Sequence, residues 1–285
     1  MPPALANLNG KIQPLAETMV PALDRGFLFG DAVYEGMQVV AGKTRFIDLH
    51  FQRLERSLHE LRIGPIDLCR LRQRLLETIA AGPFTEAFIY IQITRGAGLT
   101  RAHAFPPEGT RPTEFLFVEP FNDPYVKLRE TGVTAITQPD VRWHRCDVKS
   151  TNLLGNVLAF QAAKELQAHE AILIRPDGTV TEGTRTSLFG VVNGIVRTGP
   201  LSPEILPGVT RSVVIDLIQK LDLTFDARHL HRDELSKVEE LFFTGTTSEV
   251  LPITTLDGKP VADGKPGLIT RKLQTAFREF VNQER

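Results

Sequence analysis

Between two long periodic regions lies the stretch Glu119 to Pro124, EPFNDP, whose two prolines and Asn-Asp pair interrupt any strand or helix pattern. Proline lacks a backbone donor and restricts the residue before it, so neither a helix nor a central strand runs through such a segment. The chain therefore reads as two folding units: a small N-terminal domain over residues 1–120, a linker over 121–130 and a larger domain over 131–285. Of its 285 residues 42% are hydrophobic, which leaves apolar material for a core on each side.

In the first half, Asn9-Gly10 has the left-handed tolerance of a two-residue hairpin turn, flanked by Leu8 and Ile12. Ala32 to Val40 reads as a strand. Leu49 to Leu61 puts Leu54, Leu58 and Leu61 at helical spacing behind Asp48 as the expected N-cap. Asp67 to Ala81 predicts a second helix, stopped by Gly82-Pro83, and Ala87 to Thr94 and Glu114 to Val118 predict two more strands.

Beyond the linker, strands are expected at Val133 to Thr137, Ala171 to Ile174, Leu188 to Val192, Ile195 to Thr198 and Leu241 to Phe243. Asn193-Gly194 marks another hairpin. Helices are expected at Leu153 to Gln167, Val209 to Leu221 and Leu268 to Val281. The mixture is that of an α/β chain with α+β elements.

Lys plus Arg total 33 against 34 Asp plus Glu, so no long-range field draws the chain to nucleic acid or an anionic membrane; the expected partner is small. Cys69 and Cys146 are too far apart and too few for a metal or disulfide framework. The opening MPPALANLNGKIQPL lacks a basic start followed by an apolar run, which reads as a cytoplasmic protein.

Several residues carry chemistry by type and place. Lys149, in WHRCDVKSTNLLGN, sits where a polar segment meets a helix, with Arg142 and Arg145 as neighbouring cations able to depress an amine. Glu182 follows the Asp177-Gly178 turn on a short strand from Thr179, where a carboxylate would keep a pyridine nitrogen protonated. Leu206 to Arg211 leads into a helix whose first-turn N–H groups, those of Val209 and Thr210 among them, suit a phosphate. Thr246 offers a hydroxyl and Arg53 a guanidinium to the same anion. Arg101 and His103 lie in a loop rich in Gly and Pro, with the means to grip a carboxylate, and Tyr34, Gly36 and Gln38 share one strand face, where Gly36 leaves space beside Tyr34.

Taken together and in order, LDRGFLFGDAVYEG, HFQRLERS, TRGAGLTRAHAFP, RWHRCDVKSTNLLG, VTEGTRTSLFG, ILPGVTR and FTGTTSEVLP resemble the fold type IV pyridoxal-phosphate aminotransferases, and within them the D-amino acid transaminases. The resemblance implies a two-domain homodimer with pyridoxal 5'-phosphate lodged between the domains, exchanging an amino group between a D-amino acid donor and a 2-keto acid acceptor, pyruvate or 2-oxoglutarate. It also implies that Lys149 bonds to the cofactor aldehyde and shuttles the α-proton, that Glu182 pairs with the ring nitrogen and that Leu206 lies against the ring. Arg53, Val209, Thr210 and Thr246 would hold the phosphate, and Tyr34, Arg101 and His103 the substrate carboxylate. Three positions depart from the family: Ser187 where Asn is usual, Arg185 among small residues, and Gly36 where a bulkier side chain is usual. Rival readings are (R)-selective amine transamination, an aminodeoxychorismate lyase and a cofactor-binding relative without turnover; the Arg101/His103 pair favours amino acid substrates over the first two.

Overall fold

A computed structural model describes residues 3–283 and divides them into two compact units. The first takes everything described up to Asn122 together with a returning segment, Val148–Asn152; the second takes Asp123–Asp147 and all that follows Leu153.

The first unit opens with β1 (Leu5–Leu8) and β2 (Lys11–Pro14), joined through Asn9 and Gly10, both at positive φ, so the hairpin signal is borne out. A short helix, α1 (Arg25–Phe29), precedes β3 (Ala32–Val40) and β4 (Lys43–Thr44). Next come α2 (Ile47–Leu61), α3 (Leu68–Ala80), β5 (Ala87–Thr94) and β6 (Thr113–Pro120). The strands make one antiparallel sheet in the order β2-β1-β6-β5-β3-β4.

Alternation along β3 and β5 gives the sheet two different faces. Val33, Met37, Ile89, Ile91 and Ile93 are buried in one core with Phe51, Leu54 and Leu58 of α2 and Leu71 and Leu75 of α3. Each such side chain contributes about 1.5–3 kcal/mol on burial. Tyr34, Gly36, Phe88, Tyr90 and Phe117 stand half-buried on the other face. The expected Asp48 cap is corrected: α2 starts at Ile47 from Phe46 in the left-handed region, and Asp48, inside the first turn, bonds to Arg72 instead. Its carboxylate sits in the favourable field of the helix start without capping it. At α3, Asp67 does cap, accepting from the Arg70 N–H.

The second unit begins inside the stretch read as linker, because α4 (Val126–Thr131) occupies much of it. Arg129 anchors that helix: it is buried, donates to the Ser248 carbonyl and pairs with Asp123 at 2.5 Å. Then follow β7 (Val133–Pro139), α5 (Leu154–Glu165), β8 (Glu170–Ile174), β9 (Val180–Gly183), β10 (Ser187–Val192) and β11 (Ile195–Arg197). The rest is α6 (Val209–Lys220), β12 (Phe225–Asp226), β13 (Glu240–Gly245), β14 (Glu249–Leu256), β15 (Lys259–Pro260) and α7 (Leu268–Gln283). The sheet order is β12-β11-β10-β13-β14-β7-β8-β9, with β15 on β14. β7 runs parallel to both β8 and β14, and the crossover from β7 to β8 passes through α5. β10 is buried from end to end and β13 from Glu240 to Thr244, which explains the apolar runs within them. No helix among the described residues is long and apolar enough to cross a membrane.

Candidate active site

In the first unit, Lys149 is held by its backbone from two sides. Its N–H reaches the Ser57 hydroxyl of α2 at 3.3 Å, and its carbonyl accepts the Tyr34 N–H of β3 at 2.9 Å. The neighbouring Ser150 bridges to Val33. The side chain is half-buried, with Nζ 4.2 Å from the centroid of the Tyr34 ring. Tyr34 itself stacks on Tyr90 at 5.6 Å. A lysine amine against an aromatic face is partly stripped of water, a setting that suits nucleophilic use.

On the opposite face of β3, Glu35 is 1% exposed. Arg53 donates to both its oxygens, Nε to Oε1 and Nη2 to Oε2, each at 2.7 Å, and His50 Nδ1 lies 2.8 Å from Oε2. A carboxylate only accepts, so Nδ1 carries the proton. Burial acts to raise the Glu35 carboxyl, but the Arg53 charge and the hydrogen bonds from Arg53 and His50 outweigh it and hold it down to about 2. Burial lowers His50, against the pull of Glu35. Glu35 and His50 escaped the sequence reading, although one signal was present: Glu35 falls in step with Val33 and Met37, where a lone charge implies a buried partner.

In the second unit, Glu182 is buried on β9. Its Oε1 accepts from Arg142 Nη1 at 2.5 Å, and both oxygens lie 3.2 Å from the Leu206 N–H. The same guanidinium donates to Asp140 through Nε at 2.9 Å and Nη2 at 2.8 Å. Burial raises the Glu182 carboxyl despite Arg142 and the Leu206 N–H, whereas the Arg142 and Thr181 hydrogen bonds overcome burial at Asp140 and lower it. Arg142 and Arg145, expected to act on the lysine, instead pair with carboxylates of their own unit, Arg145 with Asp147 at 3.0 Å.

Val209 and Thr210 form the buried first turn of α6, whose N-cap Gly208 provides no side-chain cap. A Cβ at Gly208 would come 2.7 Å from Ser187 Oγ and 3.2 Å from Arg211 Cβ, so the chain approaches itself closely there. Thr246 lies half-buried in the turn between β13 and β14. The buried hydroxyls of Thr244 and Ser248 around that turn, and of Thr186 after β9, have no hydrogen-bond partner.

Arg101 and His103 are exposed and come together on Phe29, at 5.0 and 5.4 Å from its ring centroid. Two of the three departures from the resemblance, Arg185 and Gly36, have structural surroundings that account for them. Arg185 turns onto the Phe160 ring at 4.3 Å and pairs with buried Glu170 at 3.3 Å. The space expected over Gly36 is taken by Phe88, whose Cζ would lie 3.2 Å from a Cβ at that position.

Taken separately, the first unit's lysine and the second unit's carboxylate and helix start each suit one part of a phosphate-bearing pyridine aldehyde. A held lysine amine suits the aldehyde, a buried carboxylate suits a ring nitrogen, and an uncapped helix start with unpartnered hydroxyls in the same unit suits a phosphate.

The family described as amino-transferase class IV matches residues 32–256. A D-alanine aminotransferase of Bacillus licheniformis is 37% identical over 277 residues, 97% of this chain and 96% of its own. A D-alanine aminotransferase of Staphylococcus epidermidis is 38% identical over 278 residues, 96% of each. Among solved structures, the branched-chain aminotransferase of the archaeon Thermoproteus uzoniensis, determined with norvaline, is similar with a TM-score of 0.88 at 26% identity, covering 98% of this chain and 95% of its own.

Proposed function

The chain belongs to the class IV aminotransferases, and from that premise we propose that it uses pyridoxal 5'-phosphate to exchange the amino group of a D-amino acid with a 2-keto acid, pyruvate or 2-oxoglutarate. The observation that carries the reading is Lys149, its backbone held by Ser57 and Tyr34 and its amine on the Tyr34 ring. The D-alanine aminotransferases at 37% identity over nearly the whole chain support the choice of hand.

When bound, the cofactor supplies an aldehyde for the donor's amino group and a protonated ring that draws electrons from the donor's α-carbon. The protein's own groups do the rest. Lys149 Nζ, in its neutral form, would take the proton from the donor's α-carbon and deliver it to the former aldehyde carbon, and on the acceptor half of a ping-pong cycle would move a proton in the reverse direction. Glu182, aligned by the Leu206 N–H and Arg142, holds the proton at the ring nitrogen, with Leu206 against the ring. Arg53, presented by Glu35, and the N–H groups of Val209 and Thr210 with the Thr246 hydroxyl bind the phosphate. Tyr34, Arg101 and His103 take the donor's carboxylate. The same reading makes the protein a cytoplasmic homodimer.

The test is to add D-alanine, L-leucine and (R)-1-phenylethylamine separately to the holoenzyme with 2-oxoglutarate and follow glutamate formation. D-alanine is expected to be the best donor. Turnover of L-leucine alone overturns the stereochemical assignment.

A further inference from the structure

Arg25 and Asp31, in the motif LDRGFLFGDAVYEG, take no part in the chemistry above, yet they are among the most heavily bonded charges of the first unit. Arg25 is 7% exposed. Its Nη1 donates to the carbonyls of Ala102 at 2.6 Å and Ala104 at 3.0 Å, its Nη2 to the carbonyl of His103 at 3.2 Å, and its Nε to Asp31 Oδ2 at 2.7 Å. One guanidinium therefore holds three consecutive carbonyls of a segment that has no strand or helix of its own. Asp31 is braced by Arg95, which donates Nε to Oδ2 at 2.8 Å and Nη2 to Oδ1 at 2.9 Å, and which also bonds the carbonyls of Leu61 and Arg62 where α2 ends. Burial acts to raise the Asp31 carboxyl, but the bonds from Arg95 and Arg25 win and keep it below its ordinary value.

The rings repeat the pattern. Arg25 and Arg101 both lie on Phe29, at 4.9 and 5.0 Å, and Arg95 covers Phe105 at 3.7 Å. Arg101 and His103 alternate about Ala102, so gripping the carbonyls of 102 to 104 fixes the direction in which both side chains leave the backbone.

The geometry points to Arg25 as the positioning residue of the substrate-carboxylate loop: through three carbonyl bonds, with Asp31 as counter-ion, it sets the joint orientation of Arg101 and His103. The inference rests on the proposed role of that pair in carboxylate binding. Arg25 itself touches no substrate; it removes the loop's freedom before the donor arrives, which lowers the ordering cost of binding.

The experiment uses the holoenzyme of Arg25→Met and Arg25→Lys. Methionine keeps the aliphatic volume, and Asp31 keeps Arg95 as its partner, so the buried carboxylate is not orphaned. Arg25→Met is expected to raise KM for D-alanine about tenfold, with kcat changed less than about twofold and cofactor affinity unchanged, as expected when ground-state binding alone is lost. Arg25→Lys recovers only part, since one ammonium does not reproduce the planar fork. Trypsin provides a readout independent of turnover: cleavage after Arg101 should accelerate about tenfold in Arg25→Met, because a loosened loop opens more often. An unchanged cleavage rate, or equal losses in kcat and cofactor affinity with a lowered Tm, overturns the assignment. Arg101→Ala, run in parallel, separates the two ideas. If it leaves the D-alanine KM unchanged, the carboxylate role fails; if it raises KM while Arg25→Met does not, only the positioning role fails.

Discussion

Replacing Glu35 by Gln keeps the volume of a buried side chain and removes its charge. Glu35 receives two bonds from Arg53 and one from His50, all between 2.7 and 2.8 Å. An amide has one accepting oxygen, and its NH2 would face the guanidinium, so Arg53 is left buried with half its pairing. Stranding one partner of a buried ion pair costs about 3–5 kcal/mol. The pH dependence gives an independent figure. With the folded carboxyl at about 2 and the ordinary value at 4.5, each unit is worth about 1.4 kcal/mol, or roughly 3 kcal/mol in total. The folded value is depressed, so this stability is full above the ordinary carboxylate range and is lost as pH falls toward 2; about 2 kcal/mol should be gone by pH 3. Urea unfolding followed by circular dichroism at pH 7, 4 and 3 measures the gap between parent and variant. A gap below about 1 kcal/mol at pH 7, or one that does not shrink on acidification, refutes the reasoning. The same variant should weaken pyridoxal phosphate by about tenfold and pyridoxal hardly at all, because only the former requires Arg53.

The remaining expectations concern single positions. Lys149→Ala should reduce transfer from D-alanine by at least about a hundredfold, and full activity in that protein sinks the reading of the site. Arg185→Ser should leave kcat/KM within about twofold, since the guanidinium is engaged on Phe160 and Glu170; a tenfold loss would place it in the site after all. Gly36→Val should slow D-phenylalanine more than D-alanine, because a side chain there must push the Phe88 ring from 3.2 Å; equal effects on the two donors would show that this strand face does not touch the donor's side chain.

Elements set by local chemistry are legible in the sequence. Asn-Gly hairpins, the strands β3 and β5 and the helix expected from Asp67 each depend on a few adjacent residues, and the structure has them where the sequence puts them. What was not readable depends on partners distant in sequence. Asp48 looks like a cap, but the helix begins two residues earlier, at Ile47, behind Phe46 in a left-handed conformation that no local preference announces. Proline and asparagine in EPFNDP suggested a linker over 121–130, yet Arg129 finds Asp123 and the Ser248 carbonyl, and the second half of that stretch is helical in α4. The same limit applies to the site. Lys149 and Glu182 are proposed from motifs, whereas the pairing of Glu35 with Arg53, 18 residues away, and of Arg142 with Glu182, 40 residues away, arises only through folding. Arg142 was assigned to the lysine because it lies near it in sequence; two carboxylates of its own unit claimed it.

The two units each bury a glutamate on a strand against an arginine, and the difference in how that arginine is shared separates their uses. Arg53 gives two donors of its fork to Glu35 and His50 adds a third, so the carboxyl is held down to about 2 and remains a fixed anion at any working pH. Arg142 divides itself: Nε and Nη2 serve Asp140, and a single Nη1 serves Glu182. One cation facing two buried carboxylates leaves an excess negative charge, and burial then raises Glu182 instead of being overcome. A fixed anion is what a phosphate-binding arginine needs behind it, since it orients the fork without competing for protons. A local excess of negative charge is what a protonated ring nitrogen needs beside it, since the cation would offset that excess, hold Glu182 ionised and keep its own proton while electrons are withdrawn. Asp140 is therefore as much a determinant of the ring partner as Arg142: Asp140→Asn frees the guanidinium for Glu182, should lower that carboxyl, and should shift the acid limb of kcat toward lower pH.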